Sequence, residues 1–228
     1  MVVKLCYDYW YPDSTITDTE KKYFEKVSDK ILSDHLSWKT YLCRDGSVID
    51  IEIIRHYDGC KCTRISRNDC NVYPGCHMKI TLVSNNYLTT HACPGLEDDV
   101  YTLSCTRVPS MADVSEVFIN KTNWDKGFED VFADIKYSQH KKDANELYYK
   151  YVIYHEVGHA LGRVHYIPRN TDSQKKNNKF PAPIMMQQTK GLFGYEINVH
   201  PLKQEQGLFC EIRECEHENT CKEFLIPI

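Results

Sequence analysis

The sequence HEVGHALGRVH occupies residues 155–165, and its histidines recur at spacings that suit one metal ion. His155 and His159 are four residues apart, so on a helix they stand one above the other on the same face. Both imidazoles can therefore reach the same ion. Glu156 follows the first histidine, where its carboxylate can reach a metal-activated water without being a ligand itself. The sequence thus predicts a helix that carries a metal site and a catalytic carboxylate.

The second half of this motif predicts a turn and a third ligand. Gly162 lies three residues after His159 and can adopt the left-handed conformation that ends a helix. The chain can then turn and bring His165 to the same ion. Three neutral nitrogen ligands with an open fourth position are typical of catalytic zinc sites, whereas structural sites usually take four protein ligands, mostly Cys. We therefore expect one catalytic Zn²⁺ ion.

The complete pattern is H-E-x-x-H-x-x-G-x-x-H, which is much rarer than H-E-x-x-H because more spacings must agree. A turn that contains methionine is expected to follow it, and residues 183–186, Pro-Ile-Met-Met, supply one. On these residues the chain resembles the metzincin clan of zinc peptidases, with Met185 as the turn methionine. The alternative is a helix whose histidines are merely solvated.

The resemblance implies an α+β fold of the metzincin-like zincin type. In a fold of this type we expect an upper mixed β-sheet with two main helices and a smaller, irregular lower lobe. We expect a single catalytic domain over residues 1–228, with the upper lobe and active-site helix at 1–162 and the lower lobe and C-terminal tail at 163–228. Met185 would form an apolar floor beneath the ligands. Gln187 stands where some metzincins have an additional tyrosine ligand, so no such ligand is expected.

The composition excludes several other classes of protein. The chain has 228 residues, 42% of them apolar, which is enough to bury a core. Its net charge of −4 gives no indication of a nucleic-acid partner or an anionic membrane surface. No apolar run approaches the ~20 residues that span a bilayer. No signal peptide is visible at the N-terminus. A monomer is expected, although nothing in the sequence fixes the oligomeric state.

Eleven cysteines are more than an intracellular chain of this size usually contains. They cluster at 60–76, 93–105 and 210–221, with Cys6 and Cys43 apart from the rest. A second zinc site that includes His77 or His217 is one interpretation, but no C-x-x-C pair occurs. Disulfides in an oxidising, extracytoplasmic compartment are favoured, and the odd number leaves at least one thiol outside any intramolecular pair.

Periodicity and turn residues predict the order of the secondary structure. Thr17 and Glu20 have capping-box spacing before the first helix, and Asp143 is a good N-cap for the helix of the motif. We predict an irregular, cross-linked insertion at 56–77 and a polar connection at 121–142. The helix of the motif should be half-buried. The predicted helices lie at about 18–34 and 144–161, and the predicted strands at 2–9, 48–55, 78–84, 100–108 and 114–120.

The chain also resembles one particular family more closely than it resembles the clan as a whole. This resemblance covers roughly residues 7–194. It rests on Asp-His-Leu-Ser-Trp at 34–38, Val-Phe-Ile-Asn at 117–120 with Trp124, Tyr-Val-Ile-Tyr at 151–154, and the proline-methionine-glutamine block at 181–192. These stretches are similar to a family of actinobacterial secreted or membrane-anchored domains of unknown function that are grouped with candidate zinc peptidases. The resemblance implies a metzincin-like fold and an exported location, and the Cys93/Cys105 pair fits it.

The chain departs from that family at two places. The relatives carry one cysteine soon after the third histidine and another after the methionine block. Here those places hold Tyr-Ile-Pro at 166–168 and Gly-Tyr at 194–195. A cross-link beneath the active site is therefore expected to be absent, and the substrate cannot be carried over from the family.

The sequence most favours a zinc endopeptidase that cuts a protein or peptide substrate with Glu156 as general base. An extended peptide would add to a sheet edge at 100–108, and Gln187 and Leu192 would line a pocket with an apolar preference. Tyr166 and Tyr195 are weaker candidates for stabilising the oxyanion. A zinc-fold protein that only binds a surface partner is the main alternative, and it would have no need of Glu156. A cysteine-rich module in which zinc only stabilises the fold is the other, and the open fourth position argues against it.

Overall fold

The computed structural model describes residues 2–57, 61–66, 69–94, 104–108, 114–131, 144–166, 181–188 and 195–207. These residues form a mixed α+β fold in which one sheet supports the helices. The strands are β1 (Val3–Tyr9), β2 (Thr40–Leu42), β3 (Val48–Arg55), β4 (Thr63–Ile65), β5 (Val72–Pro74), β6 (Met78–Val83), β7 (Cys105–Arg107) and β8 (Ser115–Asn120). The helices are α1 (Asp18–Leu32), the short α2 (Asn85–Tyr87), which continues into a wider turn at Leu88–Ala92, α3 (Lys121–Val131), α4 (Ala144–Ala160) and α5 (Lys203–Gly207).

The sheet is parallel at its centre and antiparallel at both ends. Its main path runs β2-β3-β1-β6-β8-β7, while β4 pairs with β1 and with β5 beside that path. Strand β1 pairs in parallel with β3 and β6, and β6 pairs in parallel with β8. Strands β2 and β7 pair antiparallel with β3 and β8. Among the described residues, β7 is therefore an edge strand of the sheet, next to β8.

The predicted α1 is confirmed together with its cap. The Glu20 amide donates to Thr17 Oγ1 at 3.4 Å, and the Thr17 amide donates to Glu20 Oε2 at 2.8 Å. Phe24 and Ile31 of this helix are buried in the core. Tyr23 is 51% exposed and lies at the rim of the core, where its ring meets the edge of Tyr149.

The predicted strands agree with β1, β3, β6 and β8 to within one residue at each end. The strand predicted at 100–108 corresponds to β7 at Cys105–Arg107, and residues 100–103 lie outside the described part of the chain. The N-cap predicted at Asp143 lies outside it as well.

The polar connection predicted at 121–142 is wrong over its first half, where α3 forms. Asn120, the last residue of β8, caps this helix, because its side-chain oxygen accepts the Thr122 amide at 2.8 Å. Trp124 is buried and stacks on Tyr149 of α4 with 4.0 Å between ring centroids. The sequence pattern did not predict this helix, because most of its described side chains are polar and Trp124 supplies its apolar contact.

Helix α4 lies at the centre of the molecule, and the prediction that it is half-buried is wrong. It packs against α3, α1, β7 and β8. The Trp38 indole N–H donates to the Tyr154 carbonyl at 2.8 Å, and the Tyr154 hydroxyl donates to the Ile31 carbonyl at 2.7 Å. A helix that is apolar on all its faces is buried on all sides, and α4 is of this kind from Tyr148 to Tyr154 except at Lys150.

The insertion predicted at 56–77 is cross-linked, and it also contains the β4–β5 hairpin. Disulfides join Cys6 to Cys62 and Cys43 to Cys70, with Cα–Cα distances of 5.4 and 5.7 Å. They fasten the insertion to β1 and to the turn after β2. A third disulfide joins Cys93 to Cys105 across 6.7 Å. The three disulfides of the described residues indicate an oxidising environment.

The cysteines give no second metal site among the described residues. Cys43, Asp45 and Cys70 lie close together, but the disulfide uses both thiols. Cys76 is the one described cysteine outside a disulfide, and Cys60 and the three cysteines after residue 207 lie outside the described residues.

His77 is a structural residue. Its ring is buried behind the end of α4, with Nε2 3.2 Å from the Ala160 carbonyl and Nδ1 accepting the Ile65 amide at 3.3 Å. Burial lowers the pKa of His77 to about 4. His217, the other histidine considered for a second site, lies outside the described residues. None of the described helices is both long and apolar enough to cross a membrane.

Candidate metal centre

The three histidines of the motif come together at the end of α4. One ring nitrogen of each lies within 4.8 Å of a nitrogen of the other two, and His159 Nε2 lies 3.0 Å from His165 Nε2. Two nitrogens bound at ~2.0–2.1 Å to one tetrahedral ion lie about 3.3 Å apart. His155 is buried, and the other two are partly exposed. The structure thus places all three predicted ligands within reach of one ion.

Backbone carbonyls orient two of these imidazoles. His155 Nδ1 donates to the Ile184 carbonyl at 2.8 Å, and His159 Nδ1 donates to the Arg163 carbonyl at 2.9 Å. A carbonyl oxygen can only accept, so the proton of each neutral ring sits on Nδ1. The Nε2 lone pairs are then available to a metal, as expected of ligands with a partner on the opposite nitrogen. Burial and the neighbouring histidines hold the pKa of His155 well below its usual range, which keeps this ring neutral.

The turn after α4 has the geometry predicted for Gly162. Its φ is +90°, and an added Cβ would overlap the carbonyl oxygen of Leu42 in β2. The Arg163 amide closes the turn on the Gly158 carbonyl at 2.9 Å, a bond that satisfies a carbonyl at the helix end. The chain then reverses and places His165 beside His155 and His159.

We expect Gly162→Ala to lower the free energy of unfolding by more than about 3 kcal/mol. The left-handed conformation alone costs an alanine roughly 1–2 kcal/mol, and the overlap with Leu42 adds to this. Gly46→Ala is the matched control, because Gly46 has a φ of +85° with nothing within 4 Å of an added Cβ. Urea unfolding of both variants measures the difference. Equal losses in the two variants would show that the close approach to β2 has no energetic effect.

Met185 packs against the turn of α4 between His155 and His159. It is buried, and a Cβ added at Gly158 would overlap its sulfur. Its carbonyl accepts the Tyr166 amide at 2.9 Å, which ties the methionine turn to the residue after the third ligand. This position agrees with an apolar floor beside the ligands.

Glu156 is 4% exposed and hydrogen-bonded to the edge strand β7. Thr106 Oγ1 lies 2.8 Å from Glu156 Oε2 and 2.8 Å from the Glu156 carbonyl oxygen. Burial raises the pKa of Glu156 to about 8, and the Thr106 hydroxyl opposes this rise. A cation at the three histidines would also oppose it, because opposite charges favour ionisation. Thr106 was not identified from the sequence, since a single threonine 50 residues upstream carries no motif.

The other predicted residues are only partly placed. The hydroxyl oxygens of Tyr166 and Tyr195 lie 3.1 Å apart, so the structure brings these two together. Gln187 is partly exposed, whereas Leu192 lies outside the described residues. The glutamine with a clear structural role is Gln188, which is buried and exchanges hydrogen bonds with the backbone of Asn198. Sequence reasoning missed it because adjacent glutamines cannot be told apart without the fold.

These features define the protein as a mixed α+β protein with a candidate three-histidine metal centre at the end of a buried helix. The chain belongs to the family described as "Protein of unknown function (DUF3152)", whose model matches residues 56–218. This range includes the three histidines, Glu156 and the methionine turn. Comparison with curated proteins and with solved structures gives no match.

Proposed function

We propose that the protein is a zinc-dependent endopeptidase of the metzincin type that acts outside the cytoplasm. The observation that carries the proposal is the convergence of three imidazole nitrogens beside a buried glutamate. The donor set fits zinc, because three neutral nitrogens and no sulfur are characteristic of catalytic rather than structural zinc sites. The three disulfides support the extracytoplasmic location.

A zinc ion held by His155, His159 and His165 would supply an acidified water near neutral pH and a Lewis acid for the carbonyl of the bond to be cut. Glu156 would accept the proton of that water on its carboxylate and deliver it to the leaving amine. The transfer needs this carboxylate to be ionised beforehand, and a cation at the three histidines would favour the ionised form. Thr106 would hold the carboxylate in place through its hydroxyl group.

The edge strand β7 is the proposed location for an extended peptide. One side of β7 pairs with β8, and β7 ends the main path of the sheet. A peptide strand added there would run next to Glu156, because Thr106 of β7 contacts that residue directly. Gln187 would line the pocket beyond the cut bond, and Leu192 is proposed to share that role and to give it an apolar preference.

The decisive experiment is proteolysis of a mixed protein substrate by the purified protein with and without a chelator. We expect cleavage with zinc, loss of cleavage on chelation, and recovery when zinc is added back. Unfolding is followed in parallel, because a module that zinc only stabilises would unfold on chelation. A protein that binds one zinc ion, stays folded and cuts no substrate would contradict the proposal and favour the binding protein.

Thr106 provides a test of how Glu156 is held. A hydrogen bond to a charged group contributes about 1.5–3 kcal/mol, so we expect Thr106→Val to lower kcat by about 10- to 100-fold with little change in KM. Thr106→Ser keeps the hydroxyl and should restore most of the rate. Thr89→Val serves as control, because within the described ranges the Thr89 hydroxyl bonds only to backbone carbonyls of α2. An unchanged kcat in Thr106→Val would contradict this role.

A further inference from the structure

The side chain of Glu205 in α5 binds the main chain of the methionine turn. Its carboxylate accepts three main-chain N–H groups, from Ile184 and Leu202 at Oε2 and from Met185 at Oε1, each at 2.9 Å. A carboxylate that accepts several backbone donors is held in one orientation, and it fixes those donors in turn. Met185 lies 20 residues and Ile184 lies 21 residues before Glu205 in the sequence, whereas Leu202 belongs to the same segment as Glu205.

The same residue also holds the turn that follows α4. The main-chain oxygen of Glu205 accepts Arg163 Nε at 3.0 Å. Arg163 is 3% exposed, and its other N–H groups donate to the Leu161 carbonyl at 3.0 Å and to Thr40 Oγ1 at 2.8 Å. Its guanidinium lies 5.2 Å from the centre of the Trp38 ring. Arg163 is therefore fixed from several sides, and one of these is α5.

These two contacts lead to the two carbonyls that orient the ligands. The Ile184 carbonyl, which accepts His155 Nδ1, belongs to the same peptide unit as the Met185 N–H, which donates to Glu205. Because a peptide unit is planar, fixing its N–H fixes the direction of its C=O. The Arg163 carbonyl, which accepts His159 Nδ1, belongs to the residue that binds the main chain of Glu205.

We infer that Glu205 is a positioning residue of the metal centre, acting on His155 through the peptide unit between Ile184 and Met185 and on His159 through Arg163. The carboxylate, the peptide unit and the imidazole form a chain of hydrogen bonds that ends at the metal-binding nitrogen of His155. Such a chain of hydrogen bonds polarises each member, and it makes the His155 imidazole a stronger electron-pair donor to a metal ion. It is an indirect form of the carboxylate–histidine pairs found at zinc sites, with one peptide unit inserted between the partners.

This inference rests on the proposed zinc centre, and its test measures metal binding rather than peptide cleavage. Zinc is titrated into the chelator-treated protein against a chromophoric competitor at pH 8. Burial raises the pKa of Glu205 to about 7, so the carboxylate is charged at that pH. We expect Glu205→Gln to weaken zinc binding by about 10- to 100-fold, the usual effect of losing a partner of a metal ligand. The visible spectrum of bound Co²⁺ should shift as well, because the ligand geometry changes.

Gln206→Ala is the matched control on the same helix. The Gln206 side chain binds the segment before β2 through the Lys39 amide and the Ser37 carbonyl, and within the described part of the chain it makes no hydrogen bond to the methionine turn. We expect this variant to lose stability while its zinc affinity and Co²⁺ spectrum stay those of the native protein. If Glu205→Gln does not fold, Glu205→Asp keeps the charge but withdraws it from the turn, and the same loss of affinity is expected.

The outcomes separate the inference from the proposal on which it rests. If the native protein binds no zinc, the proposed centre fails. If the native protein binds zinc and the Glu205 variants bind it equally well, or if Gln206→Ala weakens zinc as much as they do, the positioning role of Glu205 is wrong and the centre stands.

Discussion

Glu156→Gln is expected to keep one zinc ion bound and to lower kcat by about 10²- to 10⁴-fold, the range that general acid–base catalysis contributes. The amide has nearly the shape of the carboxylate, and it can still accept the hydroxyl of Thr106. It cannot take a proton from water at neutral pH. The ligands at His155, His159 and His165 are unchanged, so the metal should remain. The measurements are kcat on a cleavable protein and zinc content after dialysis.

Glu146→Gln is the control for this variant. Glu146 lies in the first turn of the same helix, is exposed, and pairs with Lys30 and Lys150 on the surface. Surface ion pairs contribute little, so this variant should match the native protein in both measurements. Retained cleavage by Glu156→Gln would show that Glu156 is not the general base. Loss of zinc by the same variant would show that Glu156 contributes to metal binding instead.

His159→Ala is expected to lose both the metal and the activity. The variant lacks one of the three proposed protein ligands. It also leaves the Arg163 carbonyl without the hydrogen bond that His159 Nδ1–H donates to it. Loss of a hydrogen-bond partner of a metal ligand weakens metal binding by up to about 100-fold. Loss of the ligand itself should therefore lower the zinc affinity by more than about 100-fold. Zinc content and a competition titration measure this.

His56→Ala provides the comparison, since His56 is exposed in the loop after β3 and outside the three-histidine cluster. It should bind zinc as the native protein does. Stoichiometric zinc of native affinity in His159→Ala would show that the metal is held elsewhere. The two variants at the site also separate the candidate functions, because only an enzyme loses a reaction in Glu156→Gln while keeping its metal.

The parts of the fold that sequence reasoning predicted depend on contacts within a few residues. The capping box of Thr17 and Glu20, the left-handed Gly162 and the spacing of His155 and His159 are all local features. These features predicted α1, the end of α4 and the three clustered histidines. Residues such as these determine their own geometry almost independently of the rest of the chain.

The parts that were missed depend on contacts between distant segments. Thr106 reaches Glu156 only because β7 lies beside α4, and Glu205 reaches Met185 only because α5 folds back beneath the methionine turn. Helix α3 is not evident from the sequence because its apolar packing comes from Trp124, which stacks on Tyr149 of the distant helix α4. The pairing of Cys43 with Cys70 could not be read from the sequence for the same reason.

The most direct test is a crystal structure of the protein grown with one equivalent of zinc, with data collected on both sides of the zinc absorption edge. We predict one anomalous peak, ~2.0–2.1 Å from Nε2 of His155, His159 and His165, with the Glu156 carboxylate facing its fourth side. A peak among the cysteines, or a peak that touches only two of the three histidines, would contradict the account.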